Sequence, residues 1–160
     1  MADSAPAPTD LHSDPEPRLG LVERVAALHR VDLFADVPGR VLAAVADAAE
    51  EVRAEPGALL IEAGAVEAHL YAVVEGRVRV HRGERTLIEL GPGATVGELA
   101  ALVPQPRAAS VTVLEPLLAL RVDQPVLHDL LAAWPELTDG VIAALVGRLR
   151  GAADHAGGTG

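Results

Sequence analysis

The stretch "VGELAALVPQPRAASV", Val96–Val111, decides how the rest of the chain is read. It places an acid, Glu98, and a base, Arg107, in a segment that is otherwise mostly Ala, Leu, Val and Pro. "ELAALV" is long enough for about one helical turn, whose first N–H groups favour an anion. Gly97, just before it, allows close approach of backbone. Arg107 offers a planar fork that can give two parallel hydrogen bonds to the same anion. Ionised Glu98 only accepts, so it requires hydroxyl or N–H donors. The residues alone leave two readings open. Glu98 and Arg107 pair with each other across a loop, or they receive one small group that carries an anion beside a hydroxyl, as a cyclic ribose phosphate does.

Outward from this segment the chain reads as strands. From about Val52, short β-branched runs alternate with "EPG", "AG", "EG", "RGER" and "GPG", and each pair of breakers bounds a strand. "RVRVHR" puts Val78 and Val80 on one face and Arg77, Arg79 and His81 on the other. "YAVV", "TLIEL", "SVTV" and "LLALRV" are further strands, and Gly97–Ser110 is an insertion between two of them. Helical periods flank this region. Leu21, Val25 and Leu28 share a face. Pro38 suits a first helical turn, followed by Val41, Leu42, Val45 and Ala49 on one side. Asp123 is placed to cap "QPVLHDLLAAW", and "PELTDGVIAALVGRLR" forms a last helix ended by Gly151. The expected fold is mainly β with flanking α: a β-barrel or jelly roll with N-terminal helices and C-terminal helices. Residues 1–17 are expected to be a disordered acidic tail, 18–150 the domain, and 151–160 a flexible tail.

Composition narrows the function classes. The 160 residues suit one domain, and half of them are hydrophobic, enough for a core. No uninterrupted apolar run reaches the length of a membrane span, and the N-terminus lacks the pattern of a signal peptide. There is no cysteine, hence no thiolate chemistry. A cytoplasmic location is the expectation. The net charge of -10 disfavours nucleic acid and anionic lipid as partners. All 13 basic residues are arginine, so arginine by itself marks no site. His69 and His81 lack a second histidine at metal-ligand spacing, which leaves metal-dependent cupin chemistry without a ligand set. Trp134 suits packing at a helix corner, and no nucleophile stands beside a base. No metal site, no cofactor and no enzyme activity are expected.

Gly97-Glu98-Leu99-Ala100 followed by Pro106-Arg107-Ala108-Ala109-Ser110 resembles the phosphate-binding cassette of cyclic nucleotide-binding domains, with no gap in the spacer. "LFADVP", "EPGALLIEAG", "LYAVVEGRVRV" and "ELGPGATVGE" extend the resemblance over roughly residues 30–150. It implies that Glu98 takes a ribose 2′-hydroxyl and Arg107 an equatorial phosphate oxygen. The backbone N–H groups of Leu99, Ala100 and Ala108 would complete a nest opened by Gly97, with Val80 and Leu90 on the barrel wall. There are departures. Ala65 and Pro104 replace residue types frequent in the family. The last helix, which often supplies an aromatic or polar cap for the base, reads "GRLRGAAD", with no aromatic and an early glycine. The resemblance implies a small sensor for cAMP, with cGMP as the lesser ligand, that moves its C-terminal helices against an effector protein. The family's DNA-binding members carry a helix-turn-helix after the last helix; none is legible here. A degenerate domain serving as a ligand-independent interaction module is the alternative.

Overall fold

The structure is a computed structural model that describes residues 11–12, 18–66, 68–103, 106 and 108–157. Helices α1 (Leu21–His29) and α2 (Gly39–Ala48), joined by a 3-10 turn at Asp32–Phe34, precede most of the strands. The strands are β1 (Leu11–His12), β2 (Glu50–Ala54), β3 (Leu59–Ile61), β4 (His69–Arg82), β5 (Arg85–Leu90), β6 (Thr95–Val96) and β7 (Ser110–Asp123). Helix α3 (Glu98–Leu102) lies between β6 and β7, and α4 (Gln124–Ala133) and α5 (Pro135–Gly157) close the domain. The strands pair antiparallel in the order β1-β2-β7-β4-β5, with β3 also on β7 and β6 on β4. This is the jelly roll with flanking helices that the breaker pattern predicts.

Two apolar cores explain two kinds of strand sequence. Val52, Tyr71, Val73, Val78, Val96, Val113, Leu117 and Ala119 fill the interior of the roll. Leu70 and Ala72 of β4, with Leu120 and Val122 of β7, point the other way and pack on Leu28, Phe34, Leu42, Val45 and Leu127 of the helical layer. The first half of β4 and the second half of β7 are thus buried on both faces, and read as the continuous apolar runs "LYAVV" and "LLALRV". Beyond Gly76 only one face is covered, and "RVRVHR" alternates accordingly. Val41, Leu42, Val45 and Ala49 are all buried, as the period of α2 requires. Arg24 of α1 donates to the Ala46 and Ala49 carbonyls at 2.9 and 2.8 Å, satisfying acceptors that the end of α2 leaves open.

The runs "YAVV" and "RVRVHR" belong to one strand, as do "SVTV" and "LLALRV". The breakers inside them bend the strands without ending them. Gly76 adopts φ +97°, and the β4–β7 register shifts on either side of it, opposite Glu115 and Pro116. A Cβ on Gly76 would lie 2.3 Å from the Pro116 carbonyl oxygen. Only glycine fits where the two backbones come this close.

Three local expectations turn out differently. Asp123 occupies the N-cap position of α4, but its carboxylate makes no cap bond. It lies 2.8 Å from His69 Nδ1 and 3.3 Å from Arg121 Nε instead. Gly151 does not end the last helix: it lacks the positive φ of a C-terminal glycine, and α5 runs on to Gly157. Leu11 and His12, within the segment read as a tail, pair with Ala54 and Arg53. The rest of residues 1–17 lies outside the described residues, as do residues 158–160.

Candidate functional site

Both ends of the insertion hang from one strand. Val96 of β6 pairs with Tyr71 in the first half of β4, and Ser110 of β7 pairs with His81 in its second half. Gly97 turns the chain with φ +81°, a conformation that side chains disfavour, and Glu98 opens α3. Ala101 of this short helix is fully buried in the helical core, and its N–H donates to the Gly97 carbonyl at 3.0 Å. His128 of α4 donates from Nε2 to the Leu102 carbonyl at 3.1 Å, which closes the other end of α3. At the far end of the segment, Arg82 Nε donates to the Ala108 carbonyl at 3.3 Å. Ser110 Oγ accepts from the Ala63 N–H at 3.0 Å, pinning the start of β7 to the turn after β3.

The structure therefore groups Gly97, Glu98, Leu99 and Ala100 at the start of α3 and places Ala108 on an exposed bend beside β4. Arg107, Pro104 and Gln105 lie outside the described residues. The wall residues Val80 and Leu90 pack at the edge of the interior core. The register adds a neighbour that sequence reading missed. Val78 faces Leu90 and Val80 faces Ile88, so all four share the inner face. Ile88 is nevertheless 52% exposed, an open apolar surface on that face.

Glu98 is not left to water. Arg148, from the second half of α5, reaches its Oε1 with Nη1 at 2.7 Å. The same guanidinium donates from Nε to Asp32 Oδ2 at 3.1 Å and from Nη2 to Thr95 Oγ1 at 3.1 Å. Thr95 is buried, and the Glu98 side chain keeps only 16% of its surface exposed. Burial by itself would lower the pKa of Arg148; hydrogen bonds to Asp32 and Glu98, and the charges of both, outweigh it and hold the pKa above the ordinary value. The last helix thus brings no aromatic to this place, as its sequence implies, but it does bring an arginine. Sequence reading missed Arg148 because its acceptors lie 50, 53 and 116 residues away, and one arginine among 13 carries no local mark.

Among the described residues no three of His, Cys, Asp and Glu come together as a metal site. No single helix among them is long and apolar enough to cross a membrane.

Comparison with known proteins bears on the same segment. The family model described as the cyclic nucleotide-binding domain matches residues 51–133, which contain the whole insertion. The CRP-like cAMP-activated global transcriptional regulator of Mycobacterium tuberculosis is 28% identical over 128 residues, covering 77% of this chain and 57% of that protein. This chain thus spans little more than half the length of that relative. The N-terminal domain of a transcriptional regulator from Streptomyces coelicolor A3(2) superposes with a TM-score of 0.71 at 30% identity, over 81% of this chain and 94% of that one. The regulatory domain of Toxoplasma gondii PKA, solved with cAMP, gives a TM-score of 0.63 at 28% identity, over 69% of this chain and 44% of the other.

Proposed function

The chain belongs to the cyclic nucleotide-binding domain family, and from that premise we propose that it is a regulatory sensor of cAMP whose site is the segment from Gly97 to Ala108. The observation that carries this reading is the placement of Glu98: an acceptor-only carboxylate at the first residue of a short helix, directly after a glycine in the left-handed region. There it faces the demand for hydroxyl donors that a ribose meets. The N–H groups of Leu99, Ala100 and Ala108, with the guanidinium of Arg107, hold the cyclic phosphate in this account. Val80, Ile88 and Leu90 offer apolar surface to sugar and base. Relatives described as cAMP-activated and as solved with cAMP support the choice of nucleotide.

Binding here has no chemical step, and we assign no catalysis to the domain. Its output is a shift in the position of the C-terminal helices, read by an effector protein. The acidic balance of the chain argues against direct contact with nucleic acid or anionic membrane. A second reading, a ligand-independent interaction module, draws on the capture of Glu98 by Arg148. Hydrogen exchange with and without cAMP separates the two. Added cAMP should protect amides in residues 97–110. Unchanged exchange there at saturating nucleotide would favour the module.

A further inference from the structure

The two halves of α5 are held to the body by different forces. Leu137, Gly140 and Val141 are buried, and a Cβ on Gly140 would lie 2.6 Å from Val37 Cγ2, so the helix lies close against the segment after the 3-10 turn. Ala144 and Leu145 still pack on the helical core. After Leu145 that apolar contact stops: Val146 is 39% and Leu149 71% exposed, and Gly147 has open space around it. Among the described side chains of residues 146–153, only Arg148 makes a hydrogen bond or ion pair to the rest of the domain. Its three acceptors come from three segments around the candidate site: the 3-10 turn, β6 and the start of α3.

Taking the reading of Glu98 as a hydroxyl acceptor as its basis, we propose that Arg148 is an autoinhibitory latch: it fastens the distal half of α5 to the start of α3 by holding Glu98, and a nucleotide hydroxyl displaces it. Each of the three guanidinium nitrogens is committed to a separate acceptor, and Nη1 holds Oε1 of Glu98. A donor arriving at Glu98 takes Oε1 from Arg148. The remaining bonds, to Asp32 and Thr95, no longer hold the helix with a second full charge. Ligand occupancy is thereby converted into release of residues 146–157, where the intact interior glycine Gly147 already favours fraying. The contact is intramolecular and reversible, so ligand and latch oppose one another by linkage: whatever the ligand gains by taking Glu98 is reduced by what Arg148 loses.

The test uses the full chain and two variants. Arg148→Met keeps the aliphatic stem and removes the charge. Asp32→Asn weakens the latch without touching Glu98. Calorimetric titration with cAMP should show Arg148→Met binding about two- to fivefold more tightly than wild type, the size that a partly exposed charged contact supplies. Asp32→Asn should shift affinity in the same direction by a smaller factor, and it carries the test if Arg148→Met does not fold. Hydrogen exchange of residues 146–157 should speed up in wild type on adding cAMP, and should already be fast in ligand-free Arg148→Met. Equal or weaker binding by the variants, or unchanged exchange in ligand-free Arg148→Met, overturns the latch and leaves the sensor reading standing. If wild type binds neither cAMP nor cGMP, the sensor reading falls and the latch with it.

Discussion

Replacing Gly76 by alanine tests how the roll is bent around the site. Two costs are predicted. The first is conformational: at φ +97° an alanine is strained, by about 1–2 kcal/mol. The second is steric. The new Cβ would lie 2.3 Å from the Pro116 oxygen, and 3.0 Å from both the Glu115 oxygen and the Leu117 Cα. All three are backbone atoms of β7, which cannot turn aside as a flexible side chain would. Overpacking of this kind costs about 1–3 kcal/mol, so the sum is about 2–5 kcal/mol, out of the roughly 5–15 kcal/mol that stabilises a typical domain. Gly57 provides the control. It has φ +93° but no atom within 4 Å of an added Cβ, so Gly57→Ala carries the strain term alone, about 1–2 kcal/mol. Urea unfolding followed by tryptophan fluorescence measures both, Trp134 being the single tryptophan. The midpoint of Gly76→Ala should fall well below that of Gly57→Ala with similar slopes. If the two variants lose the same stability, the close approach of β4 and β7 is not what reserves position 76 for glycine.

Three further outcomes are expected. Arg107→Ala should bind cAMP more than tenfold more weakly while melting as wild type does, since removing one partner of a charged pair costs about 2–5 kcal/mol; calorimetry and thermal unfolding together check this, and equal binding would move the site elsewhere. cAMP should be preferred over cGMP by about tenfold to a hundredfold: a guanine amino group buried beside Ala108 would find no side-chain partner, and leaving it unpaired costs about 1–3 kcal/mol. Competition titrations decide it, with equal affinity or a cGMP preference as the contrary result. The chain should not retard a DNA duplex in about 0.2 M salt with excess competitor DNA; a shift that survives those conditions would show that the acidic surface hides a reading face.

Most of the fold was legible because its signals are local. Turn glycines punctuate the strands, and the one-sided cover of Val78 and Val80 shows as strict alternation. The joined strands were not legible. A bend at Gly76 and a strand end look alike in sequence, and only the carbonyls of Glu115 and Pro116 across the sheet distinguish them. Asp123 failed as a cap for a similar reason: His69 and Arg121 outcompete the helix for its carboxylate. Within the candidate site, Glu98 and Gly97 stood out because acid, glycine and spacing occur within a few residues. Ile88 emerged only once the register set it opposite Val80. Arg148 was out of reach, since nothing near it in the chain signals Thr95, Glu98 or Asp32. Gly140 inside the last helix carries no mark in sequence; its missing side chain is what admits Val37.

Calorimetric titration of cAMP into the metal-free full chain, wild type beside Glu98→Ala, tests whether residues 97–108 bind the nucleotide. Saturable binding with one nucleotide per chain is expected, weakened at least tenfold in the variant. No heat of binding in wild type under conditions where the chain is folded, or identical isotherms for the two proteins, would contradict it.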